Sequence, residues 1–265
     1  MRSIAAFASA LLLTGLVACS DNYSEVKTAD TIEAYEQFLT EHPKSSNALL
    51  AEMRLEELYL AKAEASGLLA DFDAYLKRFP EGKLKGKVME ARKGALFTLA
   101  ETENTPELWN QLLTEYTEAM DRKEKDKVKK RLRVAENKSR FSLSPIETEQ
   151  VNLAEIADGP LDGWSFRTTV SNTGEFPISH MVIRVEYLND EGKAIDNREW
   201  PVVAKALPGN LPKPDGFDTP IPPGGTRAFA YADGNFPAGW SKKARLVVVD
   251  MRVDDPSKKP VEPEK

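Results

Sequence analysis

The sequence predicts two domains in series behind a leader: an all-α helical-hairpin repeat domain and then an all-β antiparallel sandwich. Three observations predict it. Between residues 30 and 140, large apolar residues recur every 37 positions at spacings that place them on one helical face. From Trp164 onward the period changes to alternation, the mark of half-buried strands. Between these regions, residues 141–147 carry Ser142-Leu143-Ser144-Pro145 and neither period, which reads as a linker.

The leader comes first. Arg2 precedes an apolar stretch from Ile4 to Val17, too short to span a bilayer comfortably, and Leu16-Val17-Ala18-Cys19 closes it. This string resembles the lipobox of bacterial lipoprotein precursors. The resemblance implies that residues 1–18 are a signal peptide and that Cys19 becomes the lipid attachment site. It also implies that residues 19–29 form a lipidated tether. In lipoproteins of this kind aspartate directly after the cysteine favours inner-membrane retention. Ser20 stands there, so the resemblance points to the outer membrane, with the protein facing the periplasm. Cys19 is the single cysteine, so its lipidation leaves no thiol for a disulfide or a cysteine metal site.

Removing residues 1–18 leaves 35 basic against 42 acidic residues, and this mild acidity argues against nucleic acid as a partner.

Within the repeat, Tyr35, Phe72 and Trp109 occupy equivalent positions. So do Phe38, Tyr75 and Leu112; Leu39, Leu76 and Leu113; and His42, Phe79 and Tyr116. Asp30 with Glu33 fits a capping box, and Thr105-Pro106 supplies an N-cap and a first helical residue. Pro43 and Pro80 end the first helices of copies one and two. Second helices follow, with Leu50, Met53, Leu55 and Leu58 in copy one and Val88, Ala91, Ala95 and Leu99 in copy two. The aromatic triplets with His42-Pro43 and Phe79-Pro80 resemble the tetratricopeptide-type (TPR-like) repeats of outer-membrane lipoproteins. Such arrays often bind peptides or helices in a groove, although an aromatic stripe at helical spacing reads first as core.

The third copy ends in ten Lys or Arg between Arg122 and Arg140, interrupted by Glu124, Asp126 and Glu136. Met120, Val128, Leu132 and Ala135 form a narrow apolar seam, so the plain reading is a solvated helix capping the array. The functional reading is contact with an anionic surface through Lys125, Lys129 and Arg133.

In the second half, Trp164, Phe166, Thr168 and Val170 share one strand face. Met181, Ile183, Val185 and Tyr187 share another, and Val247, Val249, Met251 and Val253 a third. Further strands are expected near Val151–Ile156, Ala194–Val203 and Arg227–Tyr231, with turns at Asn172-Thr173-Gly174, at 189–192 and at 222–225. The order of V-x-N-x-G at 170–174, D-x-G-K at 190–193 and P-G before Phe229 resembles the FxLYD-type immunoglobulin-like domains of bacterial envelope proteins. That implies an immunoglobulin-like β-sandwich over residues 148–253. The long connection Lys205–Thr219 reads as a solvated insertion or a binding loop, and the Pro-, Lys- and Glu-rich tail 254–265 as disordered.

No catalytic constellation emerges. His42 and His180 are the only histidines, and neither stands at metal-ligand spacing from another. The run Gly82-Lys83-Leu84-Lys85-Gly86-Lys87 falls one residue short of a phosphate loop and has Val88 where Ser or Thr is required. The sequence is therefore read as no enzyme, with no cofactor. Its expected role is a non-catalytic adaptor or scaffold, with lipid on Cys19 as membrane contact and an envelope protein as partner. Two alternatives stay open: a lipoprotein that captures a glycan or peptide ligand, and an accessory subunit of an envelope hydrolase.

Overall fold

The computed structural model describes residues 21–153 and 162–257, so Cys19 with its lipobox, residues 154–161 and the tail from 258 lie outside the described residues. Among the described residues are seven α-helices and seven strands, the strands all paired antiparallel, giving a mixed α+β chain. It divides into two compact units, residues 1–95 and 96–265.

The first unit begins with a helix. The stretch predicted as a tether is largely folded into α1 (Tyr23–Ala29), which buries Val26. Asp30 closes α1 in the left-handed region (φ 47°) and gives its carboxylate to Arg54, so it does not cap the next helix. That cap is Thr31, whose hydroxyl accepts the Ala34 N–H ahead of α2 (Ile32–Glu41). Then come α3 (Ala48–Ser66), α4 (Leu69–Arg78) and the part of α5 (Lys85–Glu103) up to Ala95, the rest of that helix belonging to the second unit. Proline restricts the residue before it, and His42 and Phe79, at φ −127° and −126°, leave helical geometry to end α2 and α4.

Tyr35, Phe38, Phe72, Tyr75 and Phe79 form the core of this unit with Ala51, Leu55, Leu60 and Val88. A buried carboxylate organises its middle. Glu56 of α3 accepts the Tyr75 hydroxyl at 2.5 Å and the Leu84 N–H at 2.8 Å. Gly82 lies under this contact: a Cβ there would stand 2.4 Å from Glu56 Oε1 and 2.7 Å from the Tyr75 hydroxyl. The glycine that gave a phosphate-loop look thus serves packing.

Half of the predicted face of α3 is not core. Leu55 is fully buried, but Leu50 and Met53 are 51% and 40% exposed, beside Leu49 at 70%.

The second unit carries α6 (Pro106–Tyr116), α7 (Arg122–Glu136) and every strand. Trp109, Leu112 and Tyr116 are buried, as the repeat predicts. With Thr117 in place of a proline, the chain continues helically through a 3-10 turn at Thr117–Ala119. Asp121 and Glu124 then make a reciprocal capping box for α7.

The strands are β1 (Phe141–Leu143), β2 (Glu147–Asn152), β3 (Asp162–Asn172), β4 (Ile178–Leu188), β5 (Ala194–Val203), β6 (Thr226–Asp233) and β7 (Lys243–Val253). The predicted linker 141–147 therefore supplies a strand and the start of another. β3 pairs with β1 and β2 and, separately, with β6; β4 lies between β5 and β7 in a second sheet. One core joins both sheets: Phe166, Val170 and Phe229 from the first with Met181, Ile183, Val185, Val203 and Met251 from the second.

Two details depart from simple alternation. Along β7 the register steps from Val182–Asp250 to Ile183–Val248, so Val249 is an extra residue, a bulge that reverses the inward phase. Leu246 and Val248 join the core with the predicted Met251 and Val253, while Val249 is buried outside that cluster and Val247 is half-buried. The tail also begins in order: Asp254 N–H donates to Pro177 O, and Arg140 faces Asp255 at 3.6 Å.

Asn172 connects two of the predicted turns. Fully buried, it donates through Nδ2 to Phe176 O (2.9 Å) and Ile221 O (2.8 Å), while its Oδ1 accepts the Gly174 N–H.

Candidate functional site

Four features of the described residues bear on function. The first is the basic helix α7, which β7 makes into something other than a solvated cap. As an edge strand, β7 presents unpaired backbone groups that need cover. Arg131, 5% exposed, donates Nη1 to the Val248 carbonyl at 3.1 Å and binds Glu101 through Nε and Nη2. Val134 joins the strand core.

Of the three residues predicted to touch an anionic surface, Arg133 is turned away from that role: it binds the Asp250 carboxylate at 2.8 Å. His180 reaches the same carboxylate at 3.4 Å. Burial opposes ionisation of Asp250, but the hydrogen bonds from His180 and Arg133 outweigh it and hold the carboxyl below its usual range. Lys125 is half-buried and Lys129 exposed. Lys127 is also engaged, with its ammonium 4.3 Å from the Phe97 ring centroid. Structure thus occupies much of the positive charge that the sequence makes conspicuous.

The second feature is a cleft of about 740 Å³ where Lys205–Thr219 folds over β5 and β6. Trp200, Leu207, Leu211, Pro212, Phe217 and Phe229 supply its apolar lining. Arg227 pins the connection through Phe217 O (3.3 Å) and Thr219 O (2.8 Å), Lys213 pairs with Asp218, and Gly209 and Gly216 take positive φ at its bends. The segment is a built wall. The sequence signal was its unusual length, with no indication of what it covers.

The third is an acidic and aromatic cluster at one end of the strands. Asp233 Oδ2 accepts the Tyr187 and Tyr231 hydroxyls at 2.8 and 3.1 Å, with Arg198 Nε at 3.5 Å. Burial, followed by the Asp233 charge, pushes the Tyr231 hydroxyl up to about 12 and Tyr187 higher still. Neither phenol ionises near neutrality, so both serve as donors.

The fourth is the approach to α1. Asp21 accepts hydrogen bonds from the Ser45 hydroxyl and from Asn47 Nδ2 at 3.1 Å, and these, Ser45 first, lower its carboxyl below the usual range. Asn47 is the residue immediately before α3. The chain is therefore fixed to the repeat two residues after Cys19.

Among the described residues no group of three or more His, Cys, Asp or Glu is placed to hold a metal, and no helix is long and apolar enough to cross a membrane. The His42 ring packs 5.4 Å from that of Phe38.

No family model matches the chain, and no curated protein does. Among solved structures, the alkylpurine DNA glycosylase AlkC of Pseudomonas fluorescens, bound to DNA containing an abasic-site analogue, is similar at 9% identity and TM-score 0.32. The match covers 83% of this chain and 62% of the glycosylase, so the chain spans under two thirds of that protein's length. A structural-genomics target protein matches over 49% of this chain and 97% of its own at 13% identity, TM-score 0.22. The putative ApaA protein of Bordetella pertussis matches over 43% and 92%, also at 13% identity, TM-score 0.20. Likenesses this distant carry no argument about activity. They nevertheless correct one expectation: an enzyme stands among the similar structures, so the reading of this chain as no enzyme is withdrawn, and no enzymatic activity is assigned to it.

Proposed function

We propose that the protein is a lipid-anchored adaptor or scaffold of the bacterial envelope. Lipid on Cys19 holds it at the outer membrane, facing the periplasm, and its tetratricopeptide-like and immunoglobulin-like parts engage an envelope protein. The observation that carries this reading is the Leu16-Val17-Ala18-Cys19 string ending two residues before the fixed Asp21. Two further features support it: helix pairs repeating at 37 residues, and two antiparallel sheets around one core.

The second reading, capture of a glycan or peptide ligand, is favoured by the cleft walled by Trp200, Leu211 and Phe217. One experiment separates them. A photo-crosslinking residue replaces Leu211, which is 52% exposed on the cleft, and others replace exposed helix positions in residues 22–116. An adaptor gives adducts with the same envelope protein from the helix positions. Adducts confined to position 211, with glycan or short peptide, favour the second reading. No adduct at any position, in protein that fractionates with membranes, goes against both.

A further inference from the structure

We infer that Leu49, Leu50 and Met53 form a second membrane contact, which seats the first turns of α3 in the bilayer interface beside the lipid on Cys19. The inference rests on the lipid-anchor reading above and deepens it.

Three observations carry it. The repeat does not require these side chains. At the 37-residue interval their counterparts are Gly86, Lys87 and Glu90 in the second copy and Lys123, Glu124 and Lys127 in the third. Only the first copy, the one next to the anchor, places large apolar groups there, and they remain 70%, 51% and 40% exposed. At i, i+1 and i+4 they share one side of the helix.

The length of chain before the fold then places the patch. Residues 19–29 were expected to be a lipidated tether, and α1 takes up most of them while Asp21 is held by Ser45 and Asn47. Two residues of extended chain span at most about 7 Å. An acylated Cys19 therefore lies within about that distance of Asp21, which is itself bonded to the residue preceding α3. Leu49 and Leu50 occupy the second and third positions of that helix. A bilayer that holds the acyl chains is thereby brought beside them.

Charge does not oppose the contact. Each carboxylate between Leu49 and Leu58 has a partner within the protein: Glu52 binds Arg78, Glu57 binds Arg54, and Glu56 is buried against Tyr75. Exposed Lys44 precedes the helix, where an ammonium suits anionic headgroups.

Lipidation blocks the only native thiol, so a Met53→Cys variant of the mature lipoprotein carries one free thiol for an environment-sensitive fluorophore. It is reconstituted in vesicles of phosphatidylethanolamine and phosphatidylglycerol, with and without nitroxide-labelled lipid. A Lys193→Cys variant, labelled in the β4–β5 turn, is the comparison. The probe at 53 is expected to shift to shorter wavelength and lose emission to the nitroxide lipid, while the probe at 193 does neither. Adding Leu49→Ser and Leu50→Ser is expected to remove the effect at 53 with helicity unchanged; if helicity falls, the comparison of 53 with 193 decides alone.

A probe at 53 as wet and unquenched as that at 193, in acylated protein, overturns the inference. So does a blue shift that ignores nitroxide lipid and follows protein concentration, which shows a second copy on the patch. Absence of acyl chain from residue 19 overturns the anchor reading itself.

Discussion

Arg133 Nη2 lies 2.8 Å from Asp250 Oδ1, and this pair fastens the most basic helix of the chain to its last strand. Both side chains are largely buried, so removing Arg133 leaves the Asp250 carboxylate with His180 alone beside it. Arg133→Ala is expected to destabilise the protein by about 3 kcal/mol, read as a lowered urea midpoint. A triple reversal of Lys125, Lys129 and Arg133 to Glu sets a carboxylate against Asp250 and measures unfolding. A test of anionic-surface contact must therefore leave Arg133 in place and reverse Lys123 and Lys125.

The same carboxyl gives a pH dependence. Its native pKa lies below the unfolded value of about 3.9. Its contribution is fully present above about pH 4 and is lost as pH falls through the lowered native value. Thermal melts from pH 6 to pH 2 should show a smaller acid loss in Asp250→Asn than in the wild type; equal losses refute a paired Asp250.

Asn172→Ala removes three hydrogen bonds, two within the turn after β3 and one that joins it to Ile221 ahead of β6. At about 1–3 kcal/mol for each buried group left without a partner, a loss of about 3 kcal/mol is expected in chemical denaturation. Asn172→Asp, which lacks the amide donor, should not rescue it.

Gly82→Ala forces a methyl into the Glu56–Tyr75 contact and should cost about 2 kcal/mol. Gly86→Ala, with nothing within 4 Å, is its control and should be neutral or mildly stabilising. Equal melting temperatures for the two variants would refute the packing role.

The α7–β7 contact also changes where the chain is expected to divide. Residues 146–254 alone lose Arg131 from the Val248 carbonyl and Val134 from the core. Circular dichroism and thermal melts of residues 96–257 should show a higher midpoint than those of 146–254.

These outcomes turn on features unequally legible in the sequence. The 37-residue interval identified Tyr35, Phe72 and Trp109 as core, and alternation did the same for β3 and β4, because burial imposes a period. The apolar pattern of α3 did not place Leu50 and Met53 in the core, because a pattern shows which residues share a helix without showing what covers them. Alternation held for Met251 and Val253 and failed in the part of β7 before them, since a one-residue bulge reverses phase and leaves no mark in a run of valines. Arg133 was misread because composition counts charge, whereas the partners that neutralise it are more than a hundred residues away. The Asp121–Glu124 capping box is legible in the spacing alone, within the run of lysines.

The central claim, a fold held at the membrane by lipid on Cys19, is tested most directly by the mass of the N-terminal peptide from membrane-fractionated protein. The account expects a peptide that begins at Cys19 and carries a diacylglyceryl group, with Cys19→Ala protein unacylated and released from membranes. A mature peptide with unmodified Cys19, or one beginning elsewhere, would contradict it.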